Sequence, residues 1–292
     1  MLIVGTLDLD EAPVEMPVER LWRDGRREVM SDAIQTESLL SVYVNDMLTM
    51  KLGCSASHLT DLVIGRLFTE GIIEGPHEVD AVSVCEQSLR ADVMLRSRTA
   101  DLSRESVEVT PTCCTNNVVV NRYFSRDLDL SPVKPIPWLP EQVFAIAEEF
   151  GCDRTIHART RGAHSAYLCR EGQVLCVRED IGRHNAFDKV IGWALGNDID
   201  LGACAIFTSG RVPTDMVVKA IRARVPILIS KAVATDKTVD MARRYDLTLI
   251  CEAKADSCLV LNDGMGTGAT PSTVSAPLPG EGARTGGQGH EA

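Results

Sequence analysis

Residues 173–195 read QVLCVREDIGRHNAFDKVIGWAL and residues 203–221 read ACAIFTSGRVPTDMVVKAI. Each passes from an apolar run of strand length through a short polar turn into apolar residues at helical spacing. The alternation continues through PILISK (226–231), TVDMARRY (238–245) and LTLICEA (247–253). Upstream, EQVFAIAEEF (141–150) is an amphipathic helix, and SAYLCRE (165–171) faces QVLCVRE across Gly172 as a hairpin. Over 141–262 this pattern predicts a largely parallel or mixed sheet covered by helices, an α/β fold.

Working outward, SPVKPIPWLP (131–140) holds four prolines in ten positions and reads as an extended linker. Before it, residues 1–130 are expected to form a smaller strand-rich α+β domain. LLSVYV and MLTMKL flank Asn45-Asp46 as a hairpin, and HLTDLVIGRLFTEG has helical spacing, with Ser57 as its cap and Gly71 as its stop. VDAVSVCEQ, ADVMLRS and SVEVT read as strands, and TPTCCTNN as a turn. Residues 263–292, rich in Gly, Pro, Ser and Thr, read as a disordered tail.

Composition excludes several classes. With 292 residues, 45% of them hydrophobic, the chain can fill the cores of two domains and is not mainly disordered. A net charge of -11 argues against broad nucleic-acid binding, though not against a small anion held by local charge. No apolar run approaches the ~18 residues a membrane helix needs. MLIVGTLDLDEAPVEM carries no early positive charge and is not a secretory signal. Ten scattered cysteines, several in apolar runs, fit buried thiols in a reducing cytoplasm better than a disulfide framework.

Three places carry chemistry. Cys113-Cys114 sits between Pro111 and Asn116-Asn117 and reads either as a thiolate nucleophile on a loop or as two small residues at a strand end. Arg178–Lys189 packs seven charged or His side chains into twelve positions. There Asn185 is expected to cap the following helix, whose free amides suit a phosphate, with Arg183, His184 and Lys189 supplying donors and charge. The alternative is a solvated helix start. In TSGRVPTD, Ser209 and Gly210 are expected to present backbone amides and Arg211 a guanidinium fork. Both turns lie where open α/β sheets bind ligands, outside the carboxyl ends of the strands. His157 and His164 lie seven apart without a completing ligand, so no resident metal is expected. The zinc-deaminase, dinucleotide and P-loop motifs are absent from the sequence.

The run EDIGRHNAFDKVIG, followed by TSGRVPTDMVVKA, resembles the FdhD family of formate dehydrogenase accessory sulfurtransferases. VYVND, LTDLVIGRLFTEGII, the Cys-containing turn and TRGAHSAYL follow the same order over about 35–250. The resemblance implies a cytidine-deaminase-like mixed sheet without zinc, plus the smaller N-terminal domain. It implies a sulfur carrier that accepts persulfide sulfur from a cysteine desulfurase on Cys113 or Cys114, with Cys113 favoured. The sulfur then passes to the molybdenum (or tungsten) bis(molybdopterin guanine dinucleotide) cofactor before insertion into formate dehydrogenase. A homodimer is also implied. The chain departs from the family in three places: Thr115 after the paired cysteines, Pro213 after Val212, and CEAKADS in place of an aromatic–Arg–Gly stretch, which puts Glu252 and Lys254 near the cofactor. A second reading is a chaperone that holds the cofactor for formate dehydrogenase or another molybdoenzyme without covalent sulfur chemistry.

Overall fold

The computed structural model describes residues 2–4, 13–85, 87–97, 108–110, 130–152 and 156–266. In the N-terminal half, β1 (Leu2–Val4) is followed by a ribbon of β2 (Val14–Leu21) and β3 (Arg27–Ile34). Then come the hairpin β4 (Ser38–Val44) and β5 (Met47–Cys54), helix α1 (Leu59–Thr69), the hairpin β6 (Val79–Cys85) and β7 (Arg90–Leu95), and β8 (Glu108–Thr110). All but the ribbon form one six-stranded sheet in the order β1-β6-β7-β4-β5-β8. The β4–β5 hairpin turns on Asn45 and Asp46 at φ 48° and 66°, the left-handed pair that matches strand twist. Alternate residues Leu40, Val42, Val44, Leu52, Val82 and Val93 point into one core, closed by Leu59, Leu62, Val63 and Leu67 of α1. Helix α1 is capped by His58 at φ 51° with no side-chain bond, so the expected Ser57 cap is corrected by one residue.

The C-terminal half contains α2 (Pro140–Cys152), α3 (Ile156–Thr160), β9 (His164–Arg170), β10 (Gln173–Asp180), α4 (Arg183–Gly196) and β11 (Ala205–Thr208). It continues with α5 (Thr214–Arg222), β12 (Ile227–Ser230), α6 (Asp236–Arg244), β13 (Thr248–Cys251) and β14 (Leu259–Asn262). Its sheet runs β10-β9-β11-β12-β13-β14; β11, β12 and β13 are mutually parallel and the outer pairings antiparallel. The strands are apolar on both faces because both faces are covered. Ile206, Leu228 and Leu249 face α4, α5 and α6, while Phe207, Ile229 and Ile250 face Val143, Ile146 and Phe150 of α2. The proline-rich stretch before α2 lies along this core: Val133 is buried and its N–H donates to the Tyr245 carbonyl at 3.0 Å.

The halves meet where α1 crosses α4 at Gly65 and Gly192. A methyl on Gly65 would fall 1.8 Å from the Asp188 carbonyl oxygen, and one on Gly192 would fall 1.9 Å from that of Asp61. Backbone therefore packs on backbone, and only glycine fits. Arg178 Nε on β10 adds a 2.8 Å bond to Asp61 on α1.

Candidate anion-binding site

The register pairs Asp180 with His164 and Thr208 with both Ala166 and Ser230. The turns after β10, β11 and β12 and the start of β9 thus share one edge of the sheet. Asp180, fully buried, fixes the first turn. Its Oδ1 accepts from Gly182 N at 2.9 Å and Asn185 Nδ2 at 3.0 Å, and its Oδ2 from Ser55 N at 3.1 Å and Lys189 Nζ at 2.8 Å. The chain then enters α4 with Gly182 as its cap and no side-chain capping bond. The first-turn amides of Arg183, His184 and Asn185 consequently have no intrahelical acceptor. The positive end of a fourteen-residue helix faces the same edge.

Arg183 stands at this terminus half-buried, and its Nε is buried without a hydrogen-bond partner among the described residues. Gly210 of the second turn lies against it: a methyl there would meet Arg183 Cβ and Cδ at 3.1 Å and His164 Nδ1 at 3.3 Å. His164 Nδ1 is 3.4 Å from Ser209 Oγ, which accepts from Ser165 N at 3.0 Å. Arg211 is exposed at the turn tip. Lys231, also exposed, follows β12 with its ammonium 4.7 Å over the Phe150 ring. Cationic groups therefore gather at one edge of a chain whose net charge is -11.

Several expected roles are corrected. Gly182 caps α4 in place of Asn185, which is buried and donates to the Gly53 carbonyl and Asp180. Lys189 is wholly buried, and its three donors go to Asp180, the Ser55 carbonyl and the Glu179 carbonyl, so it supports the turn from below. The Ser209 and Gly210 amides do not face a ligand, because they donate to the Ser165 carbonyl and to Thr208 Oγ1. His184 points into the protein, its Nε2 2.7 Å from Asp215 Oδ2. Burial holds its imidazole below the usual histidine range. Lys254 is exposed beyond β13, two residues after Glu252 at φ 47°. Cys113 and Cys114 lie outside the described residues, as do residues 267–292 of the expected tail. His164 and Lys231 had only weak sequence signals, a strand start and a strand end, and their place at the site depends on strand order.

Beneath the site, Asp188 of α4 binds Lys219 Nζ of α5 at 2.5 Å, with Arg66 Nη1 at 3.0 Å and Thr69 Oγ1 at 2.8 Å from α1. Glu70 joins through Arg66 Nε at 3.3 Å. All five side chains are buried, and two acids balance two bases. The eight described cysteines are free thiols. Burial raises Cys176 and Cys251 to about 12, so they are protonated and poor nucleophiles at neutral pH. An apolar cavity of about 710 Å³ opens between Trp138, α2 and the opposite ends of β11 and β12, away from the arginines.

The model of the FdhD/NarQ family matches residues 35–265. A relative in Listeria innocua named Sulfur carrier protein FdhD is 30% identical over 81% of this chain and 92% of its own length. Its Bacillus subtilis namesake is 31% identical over 80% of this chain and 90% of its own. The crystal structure of a candidate formate dehydrogenase accessory protein from Desulfotalea psychrophila superposes with a TM-score of 0.69 at 22% identity, covering 86% of this chain and 97% of that one. The chain belongs to the FdhD/NarQ family.

Proposed function

We propose that this chain is a sulfur carrier for formate dehydrogenase maturation. It takes sulfur from a cysteine desulfurase as a persulfide on Cys113 or Cys114 and delivers it to molybdenum bis(molybdopterin guanine dinucleotide). That cofactor is a substrate here, modified before it enters formate dehydrogenase. One observation carries the reading: the α4 N-terminus, which has no side-chain cap, Arg183 with its buried Nε unpartnered among the described residues, and Arg211 share one sheet edge, a donor set suited to a pyrophosphate. The names borne by the relatives, sulfur carrier and formate dehydrogenase accessory protein, point the same way. The reading includes a deaminase-like C-terminal layer, a homodimer and a reducing cytoplasm, in keeping with the free thiols.

The test is mass spectrometry of the full chain after incubation with a cysteine desulfurase and cysteine. One added sulfur is expected on Cys113 or Cys114 and on none of the buried thiols. The Cys113→Ala/Cys114→Ala variant is expected to abolish formate dehydrogenase activation. If that variant activates normally while Arg211→Ala does not, the protein is a cofactor-holding chaperone and the sulfur relay is refuted.

A further inference from the structure

The 710 Å³ cavity at the far end of the C-terminal sheet has no part in the anion site. It opens where β11 begins at Ala205 and β12 at Ile227, whereas the site lies past Thr208 and Ser230. Strands of four residues put about 10 Å of sheet between the two. Val143, Ile146 and Ile229 close the floor, each only 2% exposed. The open walls are Pro137, Trp138 and Leu139 of the proline-rich stretch on one side and Ala203 and Ala205 on the other. The two alanines leave room for a large side chain.

Leu139 is 59% exposed at the mouth, an apolar side chain that gains by being covered. The Trp138 indole is held in place by donation from Nε1 to Asp263 Oδ1 at 3.3 Å, so the ring is ordered before anything binds. The rim is acidic. Glu171, the one charged residue lining the cavity, stands exposed in the turn between β9 and β10. Helix α2, which supplies part of the lining, carries Glu141, Glu148 and Glu149 and no basic residue. Arg170 is next to Glu171 in sequence but turns to the other face of the sheet, where its Nη2 donates to the Asp200 carbonyl at 3.3 Å. An apolar hollow under an acidic rim repels carboxylates and phosphates and attracts a cation whose neighbour fills the hollow.

We propose that this cavity is a docking site for a protein partner. It seats a segment in which a bulky aliphatic or aromatic side chain lies between lysines or arginines. The apolar side chain enters between Trp138 and Ala205, and the basic residues meet Glu171 and Glu141. A partner held at this end leaves the arginine edge open, so the chain is gripped at one end of its sheet while its chemistry proceeds at the other. The docking site does not depend on what the arginines bind.

The experiment titrates the full chain with the peptide acetyl-Arg-Lys-Leu-Phe-Lys-Arg-amide, followed by calorimetry and by tryptophan emission. Binding tighter than about 1 mM is expected. The same peptide with glutamate at the four basic positions, or with alanine for its leucine and phenylalanine, is expected to bind at least tenfold more weakly. Leu139→Ser, which leaves a good capping residue before α2, and Glu171→Lys in an exposed turn are each expected to weaken the basic peptide about tenfold. Neither should change the melting temperature. Trp138→Phe is expected to keep the calorimetric signal and lose most of the emission change. No binding by about 1 mM, equal binding of the basic and acidic peptides, or an emission change that persists in Trp138→Phe overturns the proposal. A Leu278→Ser chain that binds the peptide tenfold more tightly than wild type also overturns it, because the chain's own C-terminal segment is then the occupant. Peptide binding that splits an oligomer, read by light scattering, overturns it in favour of a second copy of the chain.

Discussion

Arg183 occupies the first position of α4, with Nε already out of water and no acceptor among the described residues. An unmade hydrogen bond at a buried donor is costly, so an anion that supplies the acceptor gains more there than at an open surface. Arg183→Ala is expected to weaken GDP binding at least tenfold. Arg183→Lys should recover only part of the loss, because an ammonium cannot reproduce the planar fork. Titration at 50 and 200 mM salt checks this: wild-type affinity falls with salt, and the slope is shallower in Arg183→Ala. Unchanged affinity in that variant would remove Arg183 from the site. The polar run 178–189 announced a site but not the division of labour within it. Arg183 faces out, whereas Asn185, Asp188 and Lys189 are buried, and that split depends on α4 lying against α1 and the end of β5. Composition at a helix start is the same for a solvated turn and a buried network.

At the scale of elements, strand–helix alternation made most of the C-terminal half legible, and Asn45-Asp46 made the β4–β5 hairpin legible. In the sequence, residues 14–34 are only part of a strand-rich region; their pairing into a separate ribbon, Val14 opposite Ile34, leaves no mark in it. The α1–α4 crossing was equally hidden, since Gly65 and Gly192 sit in helical patterns where a glycine ordinarily only weakens the helix. The geometry makes them indispensable. Gly65→Ala and Gly192→Ala are each expected to cost about 3 kcal/mol or more, because the methyl meets backbone that cannot rotate away. Gly196→Ala, at the end of α4 with nothing within 4 Å, should be neutral or stabilise by up to about 1 kcal/mol. Urea midpoints of the three variants test this, and a Gly65→Ala protein as stable as wild type would refute the crossing.

Across the whole molecule, the halves are joined by buried charge as well as by the α1–α4 crossing and by Phe68 and Leu195, which pack against both cores. Asp188 gathers Lys219 from α5 and Arg66 and Thr69 from α1, and Asp180 gathers Lys189 and the Ser55 amide. Lys219→Met leaves two acids facing one base and is expected to destabilise by about 3–5 kcal/mol, the usual result of breaking a buried pair. The same charges set the response to acid. Burial is the largest influence on His184 and outweighs Asp215, so the folded imidazole titrates below 6.5. As pH falls through 6.5 the unfolded chain takes a proton that the folded chain refuses, and stability declines. Asp188 and Asp215 act lower. Burial would raise both, but Lys219 and Arg66 on the first and His184 on the second prevail, so both titrate below 3.8. Their contribution is whole above 3.8 and lost as pH drops through their folded values. The decline from pH 7.5 to 5.5 therefore belongs to His184 and a steeper one below 3.8 to the aspartates. Urea midpoints for wild type and His184→Gln separate them: the variant should lose less between pH 7.5 and 5.5, yet fail at strong acid as wild type does. Parallel curves across the upper window would show that His184 does not titrate as its burial demands.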